Sequence, residues 1–535
     1  MKKSLRFLIL FTLILFLSNS VKSTASIVAR PFRGFMIDAP RGVESIDYYF
    51  RLIDFCKSEG INSIIFRLTD DQGTAYHFTS HPELNRCEGA FTTQELRKIV
   101  QYAQQRGIEM IPEIESFGHS KYITQTKQYS FLNDGPAGAD FNALCPVSDS
   151  TFVLMNDLFT EVATIFPGPY FHLGCDEVNW GAGKLSKDAL STKSKSQIWA
   201  EYVNKLNGCL KALNKKTMIW GDVPIYQDKA VLDLLSKDVV LIDWNYWETD
   251  KEKVNTVAQT LLGKGFQIIG CPAVSWCRWG PRVGESQFKN INAYAAVYGN
   301  LENPNNLGII LSNWVPKRYL QNSQWDTYTI AAKIMIHKGN YNFMDAIPAF
   351  VENHFGVKYN SSWEKIYSTI YKDISQWECS QNDSLKFSPW YAESHIRKIV
   401  MNHKVVKNNM PELKKLLLSC KHDITRNKGD FDEFLLTIDF IDYNYNRQNE
   451  LIAFINSKKT DLNSVGNYLK KLALADQLML EKIHTVWRIG RRCTIRERDG
   501  ENMWSYFKVA NYSKHLSENP AEFIDILNAL SINIK

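Results

Sequence analysis

The sequence predicts an α/β fold, a (β/α)8 barrel followed by a C-terminal all-helical domain. Three observations carry that expectation. Between residues 34 and 340, short apolar runs alternate with segments whose apolar residues recur at three- and four-residue steps, the pattern of strand, crossover helix and parallel strand. Polar or aromatic residues gather at the carboxyl end of each run, where a barrel keeps its chemistry. Beyond about residue 340 the strand pattern stops and long amphipathic runs replace it.

The chain opens with Lys2, Lys3 and Arg6, then an apolar run from Leu8 to Leu17, then small or polar residues. That order predicts a signal peptide over 1–25, cleaved near Ser23 to Ala25. The run is about half of the ~20 apolar residues that a spanning helix needs, so export to the periplasm or the medium as a soluble protein is expected. The barrel is assigned to 26–340. Its eight strands are expected at 34–39, 63–70, 109–116, 170–176, 217–222, 239–246, 266–275 and 308–314. Helices are expected between them at 45–58, 93–106, 150–165, 196–214, 251–264 and 287–298. A doubly wound open sheet is the competing fold, but eight units in about 300 residues favour closure. The helical domain, 341–535, has amphipathic runs at 393–420, 432–458 and 462–488. Its stripe through Phe434, Leu435, Ile438, Phe440 and Ile441 reads as a bundle core.

Composition narrows the partners. Four basic residues behind the net charge of +6 lie in the leader, which leaves the mature chain close to neutral. Arg488, Arg491 and Arg492 read as solvated or structural, and no concentrated basic face argues for nucleic acid. Ten cysteines at wide spacings without a CxxC pair do not describe a zinc site or a dense disulfide framework. Neither a metal nor an organic cofactor is expected. A homodimer through the helical domain is one expectation for assembly.

The segment Phe171-His172-Leu173-Gly174-Cys175-Asp176-Glu177-Val178 is an apolar strand ending in two adjacent carboxylates. A regular pleat sends neighbours to opposite faces, so both acids reach one pocket only where the pleat relaxes. The other strand ends supply Asp38 and Arg41, then Arg67, Asp70 and Asp71, then Glu113, Glu115 and His119. They continue with Trp220 and Asp222, with Asp243, Trp244 and Tyr246, and with Trp276, Asn313 and Trp314. Aromatic faces for C–H surfaces and acids for hydroxyls suit a pyranose. Trp220, Trp276 and Trp314 fit barrel packing as well as ligand stacking. Asp38, Asp70 and Glu113 fit burial against Arg33, Arg41 or Arg67 as well as sugar contacts.

His172 to Val178 resembles the His-hydrophobic-Gly-Gly/Cys-Asp-Glu motif of glycoside hydrolase family 20, the β-N-acetylhexosaminidases. The form with cysteine is similar to the hexosaminidase D-like branch. Arg33 to Arg41, Asp70-Asp71 and Pro112 to His119 resemble the family's first-, second- and third-strand motifs, in order. The resemblance implies an exo-acting retaining enzyme that releases terminal GlcNAc or GalNAc from a glycan. In that mechanism the substrate's 2-acetamido oxygen attacks in place of a protein nucleophile. It makes Glu177 the general acid and base, and Asp176 the group that orients the acetamide and stabilises an oxazolinium-like intermediate. It makes Arg41, Asp70 and His119 residues of the pocket; the strand ends add Trp220, Trp244, Tyr246, Trp276 and Trp314 as candidates around the sugar, with His172 and Glu115 expected to support the acids from behind.

Three departures stand beside that match. No accessory domain is expected before the barrel, Glu115 stands where aspartate is commoner, and 271–276 lacks the family's seventh-strand tyrosine, for which Tyr246 is the substitute candidate. Two rival readings stay open, a retaining β-glycosidase with Glu115 as nucleophile and a non-catalytic glycan-binding barrel.

Overall fold

The computed structural model describes residues 31–138, 142–275, 284–379, 408–493 and 506–531. The leader and Trp276 lie outside the described residues, as does the first half of the run at 393–420. Eight parallel strands close on themselves. They are β1 (Phe32–Asp38), β2 (Ser63–Arg67), β3 (Glu109–Glu113), β4 (Tyr170–His172), β5 (Lys216–Trp220), β6 (Val240–Asp243), β7 (Ile268–Gly270) and β8 (Asn306–Asn313). Each pairs with the next, and β8 pairs with β1 with Ile310 opposite Gly34. Closure leaves no open edge, and strands buried on both faces explain the continuous apolar runs.

Local signals set the helix starts. Ser45 caps Ile46–Ser58 by accepting from Tyr48 N, and capping boxes formed by Thr92 with Glu95 and by Ser194 with Gln197 open Thr93–Gln105 and Lys195–Ala212. The other barrel helices include Asp149–Ala163, Lys251–Gly263 and Glu285–Tyr298, each within a few residues of its expected bounds.

The strands depart from expectation where the site is built. β2 ends at Arg67; Thr69–Asp70 turns away into a small sheet with Gly73–Tyr76 and Arg86–Phe91. The expected seventh strand breaks at Pro272, which has no N–H to give the ladder, into β7 and a separate Ala273–Ser275 that pairs with β8. β4 ends at His172 instead of Asp176, because Gly174 (φ 68°) and Cys175 (φ 75°) take left-handed backbone that no pleated strand contains. The two-face alternation expected through Asp176 therefore stops short of the acids.

After the barrel come Ser361–Cys379, Met410–Cys420, Lys428–Asn456, Leu462–Gly490, Tyr506–Glu518 and Pro520–Ser531. The buried apolar set runs without a break from the barrel into Trp363, Ile366, Tyr367, Phe431, Phe434 and Ile438. Trp363 is fully buried, with Phe355 stacked on it at 5.7 Å. Because this indole sits in the shared core, Trp363→Ala lowers the unfolding free energy by about 3–5 kcal/mol. Urea unfolding of the variant, followed by far-UV circular dichroism and by tryptophan fluorescence, gives coincident transitions at a lower midpoint; two separate transitions would contradict a shared core.

Candidate active site

The carboxyl ends of β1, β2 and β3 converge on Arg67, one of the arginines expected to be buried against Asp38, Asp70 and Glu113. Arg67 is fully buried, and its guanidinium donates to Asp38 (3.0 Å), Asp70 (2.9 Å), Glu113 (3.3 Å) and Glu115 (2.6 Å). Arg41 reaches the same group from outside, 2.8 Å from Asp70 and 3.4 Å from Asp38, with its side chain still 14% exposed. Asp70 is thus between two guanidinium groups. Burial alone would raise its carboxyl, but Arg41 and Arg67 hold it far below the usual range.

Glu113 and Glu115 go the other way. Burial, only partly offset by Arg67, pushes Glu113 up to about 7, while burial and then the Asp176 charge push Glu115 well above the ordinary carboxyl value. With four carboxylates around Arg67, the two glutamates are where burial is least offset by positive charge. Glu115 is placed by its neighbours: Oε1 accepts from Arg67, Oε2 from Cys175 N at 3.3 Å, and its own N–H donates to Thr69 Oγ1.

The second cluster belongs to the loop after β4. Glu177 has φ 49°, so it too is left-handed, and the three unusual residues in four turn Asp176 and Glu177 toward one side. The glycines here follow from space as well as angle. A Cβ on Gly174 would lie 1.9 Å from Glu115 Oε2, and one on Gly118 would lie 2.2 Å from the Asp176 carbonyl oxygen.

His119, itself at φ 44°, lies between the acids: Nδ1 is 3.2 Å from Asp71, and Nε2 is 3.5 Å from Asp176 and 3.2 Å from Glu177. Burial would lower its pKa, but Asp176, Asp71 and Glu177 together hold it well above the ordinary histidine value, so the ring is an imidazolium. Asp176 answers in kind. Its burial penalty is outweighed by His119 and then Arg67, which keep it ionised and well below the usual carboxylate range.

Among the buried polar atoms of the described site residues that take part in no hydrogen bond with a fixed donor or acceptor are Glu113 Oε2, His172 Nε2, Asp176 Oδ1, Asp222 Oδ1 and Trp244 Nε1. A titratable proton on Glu115 also bears on Asp176. Glu177 is the open member of the pair, its side chain 43% exposed. Asp222, at the end of β5, accepts from Glu177 N (3.0 Å) and from Gln227 Nε2 (2.9 Å) through one oxygen. Burial and then the Asp176 charge push its carboxyl up to about 8.

The aromatic residues split by depth. Trp220 is fully buried, donates to Glu113 at 2.8 Å and packs its ring 4.5 Å from His172 and 5.5 Å from Trp314. His172 is neutral, since burial takes it down to about 3 and its Nδ1 accepts from Gly174 N. Trp314 lies under Arg41 and Arg67 and donates to the Tyr246 hydroxyl at 2.7 Å, and Tyr246 packs 5.0 Å from the half-buried Trp244. The described candidates therefore form one continuous group: the arginine–carboxylate cluster leads through Trp314 to Tyr246 and Trp244, and the His119 cluster leads to Asp176 and Glu177. Arg67, Asp71 and Asp222 complete it. All three stand at the strand ends picked out from the sequence, but only the fold shows that Arg67 gathers four carboxylates at once.

One atom each from His119, Asp176 and Glu177 lie within 4.8 Å of one another, a spacing that could hold a cation. The arrangement suits proton handling beside a fixed negative charge.

The chain is 28% identical over 218 residues to a beta-hexosaminidase of Porphyromonas gingivalis, covering 36% of this chain and 28% of the relative. It is 25% identical over 218 residues to the human beta-hexosaminidase subunit beta, covering 37% and 38%. It thus spans well under half the length of these relatives. Among solved structures, a Flavobacterium johnsoniae chitobiase shares the fold at a TM-score of 0.50 and 17% identity, over 93% of this chain and 74% of that one. The family model for the catalytic domain of glycosyl hydrolase family 20 matches residues 31–300, which span β1 to β7 and the Asp176-Glu177 loop. With half of the chain inside that match, the protein belongs to glycosyl hydrolase family 20.

Proposed function

We propose that the protein is an exo-acting retaining β-N-acetylhexosaminidase, releasing terminal GlcNAc or GalNAc from a glycan with the substrate's own acetamide as nucleophile. The observation that carries this reading is Asp176: ionised, buried, and with Oδ1 lacking a fixed donor beside the half-exposed Glu177. An acetamido N–H supplies the missing donor. Once it binds, the acetamido oxygen faces the anomeric carbon, and the Asp176 charge stabilises the cation that develops as the ring closes. Glu177, open to the departing group, gives it a proton and later takes one from water. Asp222 holds Glu177 by its backbone, and Tyr246, beside Trp314 and within the field of Asp176, is placed to hold the acetamido oxygen.

A protein nucleophile has less support. Glu115 is fully buried, with both oxygens committed to Arg67 and to Cys175 N, which leaves neither to attack a sugar. Export behind the leader and pairing of two copies through the helical region belong to the same proposal. For the first, no helix among the described residues is long and apolar enough to cross a membrane; for the second, Leu474 and Leu478 are exposed one turn apart.

On an aryl N-acetyl-β-glucosaminide, Glu177→Gln lowers kcat/KM by about 10²–10⁴-fold. Asp176→Asn lowers kcat by about 10²–10³-fold. Neither the wild type nor the variants turn over the matching β-glucoside, and appreciable β-glucosidase activity would sink the substrate-assisted reading. Asp222 also predicts a pH dependence. An unfolded aspartate titrates near ~3.9, so between about pH 4 and about 8 the folded state keeps a proton that the unfolded chain has lost. Its contribution to stability therefore falls as pH rises through that window. Asp222→Asn, which can still accept from Glu177 N, flattens the decline; equal slopes for both proteins in urea unfolding would refute the assignment. N-terminal sequencing of the exported protein finds a start near Ala25, and an intact Met1 would rule out cleavage.

A further inference from the structure

The family match ends at residue 300, yet the two ends of the barrel rim are tied together by residues nearly two hundred positions later. Arg491 follows the helix Leu462–Gly490 and its side chain is buried, only 3% exposed. Nε faces Glu44 Oε1 at 2.9 Å, and Nη2 donates to the carbonyls of Pro316 (2.9 Å) and Tyr319 (2.7 Å). Glu44 is three residues beyond Arg41, and Pro316 is two beyond Trp314. One guanidinium thus bridges the loop after β1 and the loop after β8.

The main chain around it repeats the link. Ser45 N donates to Gly490 O at 2.9 Å, and Arg492 N donates to Val43 O at 3.0 Å. The two loops are in contact, since a Cβ on Gly42 would lie 2.9 Å from Pro316 Cγ. Tyr319 and Leu320 are packed into the helical bundle with Met479, Ile483 and Trp487, and Arg491 lies over the Trp487 ring. The loop being held is strained. Val315, between Trp314 and Pro316, has φ 52°, a left-handed conformation that a β-branched residue avoids. Such a residue keeps that shape only where its surroundings over-determine it. Asp38 accepts the Val315 N–H at 2.9 Å on one side, and Arg491 holds the next carbonyl on the other.

We infer that Arg491 is a positioning residue for the sugar pocket: by clamping both loops it fixes the Arg41 guanidinium and the Trp314 ring relative to each other. The helical region is then part of the substrate grip. This rests on the proposed hexosaminidase activity for its kinetic readout only. The fork shape matters, because a lysine ammonium can pair with Glu44 but cannot hold Glu44 and two carbonyls together.

Arg491→Lys and Arg491→Ala raise KM for an aryl N-acetyl-β-glucosaminide by about tenfold, with kcat per folded enzyme changed by less than about threefold. In the Arg41→Ala background the same substitutions add little further to KM. Hydrogen exchange measured on the full chain speeds up at 42–45 and 315–320 and not in the distant barrel helices. This second readout separates failures: a wild type without activity defeats the hexosaminidase reading and leaves the clamp to be judged by exchange. KM unchanged with activity lost only in step with the folded fraction, or exchange unchanged at both loops, would overturn the positioning role. If Arg491→Ala does not fold, Arg491→Lys carries both measurements.

Discussion

A guanidinium without water needs carboxylates, and Arg67 is the point at which β1, β2 and β3 are obliged to meet. Its four acidic partners come from β1, from the segment just after β2, from β3 and from the loop after β3, so strand register, the sharp exit at Thr69–Asp70 and the placement of Glu115 all follow from satisfying one cation. Taking the guanidinium away would strand buried negative charge, at a cost of about 3–5 kcal/mol. The excess of acids over bases also has a direction. Asp70, between Arg41 and Arg67, is held far below the usual carboxylate range, while the carboxyls of Glu113 and Glu115 are pushed up.

The Asp176-Glu177 loop extends that ordering. Asp70 and Asp71 lie beside His119 on one side of its ring, with Asp176 and Glu177 on the other, so positive and negative groups alternate from Arg41 to the pocket. An ionised Asp176 in a buried site is stable only because an imidazolium and a guanidinium face it. The backbone contributes by strain: left-handed residues at 174, 175 and 177 bring adjacent side chains to one side, and Asp222 and Glu115 hold that shape by accepting N–H groups from within it. Glycine at 174 is demanded twice over, by its φ and by the carboxylate of Glu115.

Barrel closure puts the first and last strands side by side, which brings Arg41 and Trp314 together although 273 residues separate them. Their loops lean on the end of the helix Leu462–Gly490. The shared apolar core explains why that support is rigid enough to matter. Trp363, Phe431 and Phe434 belong to the same buried set as the barrel strands, so the helices do not move independently of the pocket they brace.

Periodicity and local chemistry were enough to read the eight strands, the helices between them and the approximate place of the Asp176-Glu177 pair, because those depend on neighbours within a few residues. The motifs around Arg41, Asp70, His119 and Asp176 were legible for the same reason. What they could not carry is any property set by distant partners. That β4 stops at His172 and that the expected seventh strand breaks at Pro272 depend on backbone angles and ladder geometry that the alternation of apolar residues does not encode. Arg491 looks like an ordinary charged residue until the fold buries its side chain; burial then makes its partners obligatory. Protonation belongs wholly to the tertiary structure. Glu115 and Asp176 begin with nearly the same intrinsic acidity, and only the placement of His119, Arg67 and solvent decides which of them keeps its proton.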